Sequence, residues 1–170
     1  PTGNETETWN ADVDDSGSIK CYVTGTTLTI AGNGSGKIMA NEDGSYMFCT
    51  DDYSDDFRNV TAINGLNLID VSNCTNLNAC FNNFRKVATL NVDNWNVSNV
   101  TSMHSMFCYC FALTTLNVSK WDISSCDTIY QMFCYCQKLT SLDLSNWCMR
   151  DNILYCRHMF MACSALKTIG

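Results

Sequence analysis

Three segments of the chain carry nearly the same six residues: LNVDNW at 90–95, LNVSKW at 116–121 and LDLSNW at 142–147. Each copy begins 26 residues after the copy before it. A fixed period of roughly 20 to 50 residues is the sequence signature of structural repeats that stack on one another. We therefore assign residues 61–170 to repeats of this period.

The second half of the unit follows the same period. MFCYC at 106–110 returns at 132–136, and the related MFMAC at 159–163 follows after a one-residue insertion. Four apolar residues of this half are spaced i, i+3, i+4 and i+7: Met103, Met106, Phe107 and Cys110. That spacing predicts one apolar face of a helix of about two turns. In the first half, the alternation of Leu116 and Val118 predicts a short strand.

These features predict a leucine-rich-repeat solenoid in which short parallel β-strands alternate with short helices over about four repeats. Stacking is required because a two-turn helix and a lone short strand are each unstable in water. Stacking also arranges equivalent residues in ladders, such as Trp95, Trp121 and Trp147. We expect these tryptophans in the core, since a sugar-stacking strip would need them to face outward.

The N-terminal part of the chain does not follow the period. Residues 9–60 contain short apolar segments separated by Asp and Gly turns, for example at 19–23 and 26–30. We expect a β-rich cap there, because the apolar end of a repeat array needs cover. Residues 1–8 are assigned to a linker, and the repeats are expected to be truncated at the C-terminus because the chain stops where another unit would begin.

Two acidic clusters raise the question of calcium. DVDDSG at 12–17 resembles the start of an EF-hand loop, but Val23 occupies the position that needs a bidentate Glu, so a hairpin turn is the better interpretation. The second cluster contains four aspartates: Asp51, Asp52, Asp55 and Asp56. Calcium binding there stays open beside a solvated acidic loop. No other metal site and no cofactor is predicted.

Twelve cysteines suggest a disulfide framework, but the register of the repeats argues against it. Seven take positions that hydrophobic residues fill in other units, and we expect them to be buried free thiols: Cys74, Cys80, Cys110, Cys126, Cys136, Cys156 and Cys163. Cys108 and Cys134 are expected on the outer side of their helices. Neighbouring helices about 8 to 10 Å apart disfavour a disulfide between them, although a free, bridged or metal-bound pair stays open.

Composition and motif content exclude several functional classes. The net charge of −7 and the absence of a Lys/Arg cluster disfavour nucleic acid and anionic membranes as partners. No apolar run reaches the length of a membrane span. His104 and His158 occupy different positions of the unit, and no nucleophile, base and carboxylate fall at a recognisable spacing, so we do not expect an enzyme.

The repeats resemble a known family. LNVSKWDIS at 116–124 and MFCYCQKL at 132–139 look like the 26-residue bacterial surface-protein repeat and the related BspA-like leucine-rich repeats. TLTIAGNG at 27–34 is similar to the strand that often precedes such arrays. The resemblance implies a secreted or surface-attached protein of an anaerobic mucosal bacterium that adheres to host matrix proteins, glycans or other cells. It supplies no catalytic residues, and the isolated chain is expected to be a monomer.

The candidate binding site is the outward row of the predicted strands, because repeat arrays use such faces as extended binding surfaces. Its residues are Asn91, Asp93, Asn117, Ser119, Asp143 and Ser145. The row is polar and weakly acidic, without the aromatic and arginine anchors of tight interfaces, so weak multivalent contact is expected. The alternative is a structural spacer that projects another domain from the cell surface.

Overall fold

The computed structural model describes residues 7–10, 20–32, 36–48, 57–148 and 155–170. Within these ranges the regular elements are short strands and one turn of 3-10 helix, Leu66–Leu68. The strands are β1 (Glu7–Asn10), β2 (Lys20–Thr24), β3 (Thr27–Ala31), β4 (Ile38–Met39), β5 (Ala62–Asn64), β6 (Ile69–Asp70), β7 (Thr89–Leu90), β8 (Thr115–Leu116), β9 (Ser141–Leu142) and β10 (Thr168–Ile169).

The largest sheet has the strand order β1-β2-β3-β5. The first three strands pair antiparallel, and β3 pairs parallel with β5, where Leu28 lies opposite Ile63. Side chains along β2 and β3 alternate between buried and more exposed positions, because one face of this sheet lies on the core. Gly65 follows β5 with φ of +91°, and a Cβ there would collide with the carbonyl oxygen of Ile30, so this close approach requires glycine.

Over residues 36–48 and from residue 57 onward, successive segments of the chain lie on one another, and we call these segments layers. Residues one period apart pair across the layers: the amide of Thr101 donates to the carbonyl of Thr75 at 2.8 Å, and the amide of Thr114 donates to that of Ala88 at 2.9 Å. A row of parallel bridges also runs through them, joining Asp43, Asn76, Ser102, Thr128 and Tyr155 in turn. Cross-layer hydrogen bonds therefore occur on two sides of the chain.

The predicted leucine-rich-repeat solenoid of alternating strands and helices is wrong. The part of the chain that the structure describes contains no α-helix. Its strands form small separate sheets instead of one continuous parallel sheet: the four-stranded sheet and the pairs β4-β6, β7-β8 and β9-β10. These three two-stranded pairs are parallel and hold only two residues per strand, because the chain turns away directly after each of them.

The segment predicted as a helix instead consists of tight turns. Ser105 and Tyr109 have φ of +55° and +62°, a left-handed conformation that interrupts a right-handed helix. Successive amides then donate in different directions: that of Phe107 reaches the carbonyl of Met132 in the next layer at 2.9 Å, whereas that of Cys108 returns to Ser105 at 3.0 Å. The four apolar residues with helical spacing are nevertheless all buried. Inward turn positions can thus reproduce the spacing of a helical face.

A column of phenylalanines runs through the core. Its members are Phe48, Phe81, Phe107, Phe133 and Phe160, one from each successive layer. Neighbouring rings have centroids 5.2 to 5.7 Å apart and lie within 12° of parallel. Such offset stacking adds to the burial of aromatic area, so the column links the layers energetically.

The tryptophan ladder lies in the core, which confirms the sequence prediction for Trp95, Trp121 and Trp147. Each indole Nε1 donates to a backbone carbonyl of the preceding layer at 3.0 to 3.1 Å. A buried indole N–H needs such an acceptor, since leaving it unpaired costs free energy. The ladder therefore provides both apolar burial and cross-layer hydrogen bonds.

Candidate binding surface

The predicted strand-face residues lie on the surface. Asn91, Asp93 and Asn117 line a shallow depression of about 330 Å³ beside Thr89 and Thr115. Asp143 and Ser145 are also exposed, and Ser119 is half-buried. The depression is open, and Leu90 and Leu116 contribute to its lining, but no aromatic side chain does. Such a surface offers little apolar area for a tight contact.

Four of these six residues hold local turns. Oδ1 of Asn117 accepts hydrogen bonds from the amide of Ser119 at 3.3 Å and from its hydroxyl at 2.9 Å. Oδ1 of Asp143 likewise accepts hydrogen bonds from the amide of Ser145 at 3.0 Å and from its hydroxyl at 2.6 Å. The hydroxyl and then the amide of Ser145 lower the pKa of Asp143. Side chains that close turns in this way have a structural role.

A second surface was missed by the sequence analysis. The rings of Tyr109 and Tyr135, from adjacent layers, stack with centroids 5.0 Å apart at 20°. Phe111 packs on both, at 5.9 Å from Tyr109 and 6.2 Å from Tyr135. The guanidinium of Arg85 lies 5.7 Å from the centroid of Phe111. We call Tyr109, Phe111, Tyr135 and Arg85 the aromatic cluster.

The aromatic cluster is open to solvent. Tyr109 is 40% exposed, Arg85 is exposed, and the other two side chains are half-buried. Nε of Arg85 donates to Oδ1 of Asn83 at 2.7 Å, which fixes the guanidinium over the ring of Phe111. The cluster thus presents aromatic side chains and one oriented cation on a single patch.

The backbone of the two tyrosines is in a conformation that is unfavourable for bulky residues. Both occupy the left-handed region, with φ of +62° at Tyr109 and +61° at Tyr135. The equivalent residues of the flanking layers are Asn83 and Ala162, also left-handed, and Asn is the side chain that tolerates this conformation best after glycine. A bulky residue there costs of the order of 1 kcal/mol. The repeated Cys-Tyr-Cys at 108–110 and 134–136 was the sequence signal for this position.

The two histidines belong to another aromatic row. His104 and His158 each meet the ring of Tyr130 edge to face, with centroids 5.1 and 5.8 Å away. Both histidines are exposed, and Tyr130 is half-buried between them. These contacts join three successive layers by ring packing.

Among the described residues, no three His, Cys, Asp or Glu side chains are arranged to hold a metal ion. Both acidic clusters, at 12–17 and 51–56, lie outside the described residues. Within the same described ranges, no helix is long and apolar enough to cross a bilayer.

The cysteines follow the sequence prediction in part. All eleven in the described ranges are free thiols. Burial is confirmed for five of the seven expected positions: Cys74, Cys80, Cys110, Cys126 and Cys136. Cys163 is only partly buried, and the prediction is wrong for Cys156, which is exposed because only the preceding layer packs beside it within the described residues.

The expected outward position of Cys108 and Cys134 is also wrong. Both are buried in the tight turns that replace the predicted helix, although neither belongs to the hydrophobic core that contains Cys110 and Cys136. Burial is the main cause that raises the pKa of both thiols, that of Cys108 to about 12, and the two thiols also influence each other's pKa. Their separation is set by the spacing of stacked layers and not by the spacing of packed helices.

Residues 51–169 match the family described as "Mycoplasma protein of unknown function, DUF285". This match covers well over half of the chain and includes the described layers from residue 57 onward. No curated protein and no solved structure matches the chain.

Proposed function

Since the chain belongs to the family described as "Mycoplasma protein of unknown function, DUF285", a description that assigns no activity, we propose a function from its geometry: a non-catalytic module that binds a partner protein outside the cell through the aromatic cluster. The observation that carries the proposal is the exposed stack of Tyr109 on Tyr135 beside Phe111 and Arg85. The extracellular location rests on the resemblance of the repeats to bacterial surface-protein repeats.

The residue types of the cluster support binding to a protein. Tyr, Trp and Arg carry most of the binding energy in protein interfaces, usually as a small central group surrounded by weaker contacts. The cluster combines two tyrosines with an arginine whose position is fixed by Asn83. Because the side chains already pack on one another, less conformational entropy is lost when a partner binds.

The residue type at the left-handed positions of the cluster gives independent support. Strained conformations of bulky residues persist only where the surrounding structure holds them, and they concentrate at functional sites. At Tyr109 and Tyr135 the cross-layer bonds hold the backbone: the amides donate to the carbonyls of Cys134 and Met161 at 2.9 and 2.8 Å. Asn83 shows that the same position can be filled at lower strain. Left-handed backbone also occurs at Tyr46, Gln131 and His158, so the support rests on the presence of two tyrosines where a flanking layer has Asn83 and not on the conformation itself.

A partner protein fits the cluster better than a glycan does. A sugar ring stacks on the flat face of an aromatic side chain, but Tyr109 and Tyr135 each cover one face of the other. The exposed part of Tyr109 and the exposed Arg85 suit a mixed polar and apolar protein surface. In this proposal the polar strand face contributes at most weak surrounding contacts.

The spacer remains a second candidate, favoured by the cross-layer hydrogen bonds and the phenylalanine column, which make a regular, well-linked stack. A spacer needs no exposed aromatic cluster. Loss of the aromatic cluster should therefore abolish binding if the chain binds a partner protein through it, and should have no effect if the chain is a spacer.

A parallel screen on immobilised matrix proteins, such as fibronectin and laminin, and on a glycan array tests the proposal. The wild-type chain and the variant Tyr109→Asn/Tyr135→Asn are applied at equal concentration, with Tyr46→Asn as the matched control. Tyr46 is 60% exposed and also left-handed, but it lies outside the cluster. We expect the wild type and the control to bind a protein that the double variant fails to bind. Binding to glycans alone, or equal binding by all three chains, contradicts the proposal, and no binding at all favours the spacer.

A further inference from the structure

Cys108 and Cys134 lie in register in adjacent layers. Cross-layer hydrogen bonds of 2.9 Å lie on both sides of the pair. The amide of Phe107 donates to the carbonyl of Met132, and the amide of Tyr109 donates to the carbonyl of Cys134. The two thiols interact electrostatically inside this frame. The backbone bonds therefore hold the two cysteines in register across the layer boundary.

The spacing of the layers suits a disulfide. Backbones joined by such hydrogen bonds lie roughly 4.7 to 4.9 Å apart, within the Cα separation of about 4.4 to 6.8 Å that disulfides adopt. The rings on either side report the same spacing: Tyr109 and Tyr135 are 5.0 Å apart, and Phe107 and Phe133 are 5.6 Å apart. A bridge thus needs no large backbone movement.

The neighbouring cysteine ladder is arranged differently. The thiols of Cys110, Cys136 and Cys163 each donate to a backbone carbonyl of the preceding layer, at 3.2, 3.2 and 3.0 Å. A bridge between two of them would break these bonds. The carbonyl of Phe81 would lose its donor if Cys110 took part, whereas the carbonyls of Phe107 and Phe133 keep backbone amides as donors. The positions equivalent to Cys108 and Cys134 in the flanking layers hold Asn82 and Met161. The geometry therefore singles out one pair.

We propose that Cys108 and Cys134 form a disulfide that links their two layers when the chain folds in the presence of a small-molecule disulfide. The thiolate of one cysteine attacks a sulfur of the reagent RSSR, whose S–S bond breaks, and one RSH leaves after taking up a proton. The thiolate of the other cysteine then attacks the protein sulfur of this mixed disulfide, and a second RSH leaves. Two protein thiols are oxidised by two electrons, and one RSSR is reduced to two RSH.

Folding is the step at which the bridge forms. In the folded chain both thiols are buried, and burial raises the pKa of each, so few thiolates are present and oxidant access is poor. Before the chain folds, neither thiol is buried, so the reagent reaches both. The finished bridge joins the two layers that carry Tyr109 and Tyr135, so it also fixes the register of the aromatic cluster.

Refolding of the whole reduced chain in a buffer of oxidised and reduced glutathione tests the inference. Remaining thiols are alkylated, and tryptic peptides are analysed without reduction by fragmentation mass spectrometry. Lys86, Lys120 and Lys138 place Cys108 in a peptide of residues 87–120 and Cys134 in one of residues 121–138. We expect these two peptides to be linked, with fragment ions that assign the bond to Cys108 and Cys134.

Two variants, each with one thiol removed, test which cysteine of peptide 87–120 forms the bridge. Cys108→Ser should abolish the link, whereas the matched control Cys110→Ser, two residues away in the same peptide, should retain it. Circular dichroism verifies that each variant has refolded. If a variant has not refolded, the fragment ions of the linked wild-type peptides alone assign the bond. Alkylated Cys108 and Cys134 in the refolded wild type, glutathione adducts without an internal link, or a link through other cysteines would each overturn the inference.

Discussion

The indole nitrogen of Trp121 donates a hydrogen bond to the backbone carbonyl of Val92 at 3.1 Å, across the boundary between two layers. Both residues are about 1% exposed, so water does not replace this bond when it is lost. The same bond recurs at Trp95 and Trp147. The ladder therefore links successive layers through their least accessible groups.

Replacement of Trp121 by phenylalanine should destabilise the chain. The carbonyl of Val92 keeps the amide of Trp95 as a donor at 3.1 Å but loses the indole, which costs about 1 kcal/mol, and the smaller ring leaves a cavity. Urea unfolding measures the free energy, with Ile123→Val as a buried control that removes no hydrogen bond and costs about 0.5 to 1.5 kcal/mol. A Trp121→Phe variant as stable as the wild type would show that the bond contributes nothing.

Gly65→Ala should be strongly destabilising. The added Cβ collides with the carbonyl oxygen of Ile30, and φ of +91° is unfavourable for alanine, so a loss of about 2 kcal/mol or more is expected. Gly25→Ala is the control, because φ there is +61° but no atom lies within 4 Å of the added Cβ. The difference in unfolding midpoint between the two variants reports the destabilisation that the contact with the Ile30 carbonyl oxygen causes. Equal midpoints would contradict the close packing of β3 on the turn after β5.

Acid should weaken the fold through the Asp-x-Ser turns. Hydrogen bonds from Ser145, Ser124 and Ser45 lower the pKa of Asp143, Asp122 and Asp43. The folded pKa then lies below the unfolded value, so this stability is complete above about pH 4 and is lost as the pH falls through the folded pKa. NMR titration of the Asp143 carboxyl should give a pKa that rises toward its ordinary value in Ser145→Ala. An unchanged pKa in that variant would remove Ser145 as the cause.

The strand-face residues should separate into structural and non-structural ones. Asn117→Ala and Asp143→Ala each remove the acceptor of a turn and should lower the urea midpoint. Asp93→Ala, on the same face, serves as the matched exposed control and should leave the midpoint unchanged. If all three variants unfold alike, the turns do not contribute to stability.

The sequence allowed correct prediction of the buried tryptophans, because the recurrence of Trp in one position of the unit leaves few alternatives to a core ladder. It did not allow correct prediction of the conformation at 103–110. A helix and a series of turns with left-handed residues can both place apolar side chains inward at i, i+3, i+4 and i+7. Periodicity alone does not report the sign of φ at Ser105 or Tyr109.

The aromatic cluster was missed because a helix was predicted at 103–110. On a helix, Cys108 was expected outward and a disulfide with Cys134 was disfavoured by the distance between packed helices. In the tight turns Cys108 is buried, and Tyr109 and Tyr135 form one exposed stack. The contact of Arg85 with Phe111 joins residues whose proximity depends on the stacking of layers, so no local pattern indicates it.

Titration calorimetry with the partner protein found in the screen tests binding through the aromatic cluster most directly. The dissociation constant is measured for the wild-type chain, for Tyr109→Asn/Tyr135→Asn and for Tyr46→Asn. Loss of two interface tyrosines should weaken binding at least about tenfold, while the control should match the wild type. A double variant that folds normally and binds with the wild-type dissociation constant would contradict the proposed function.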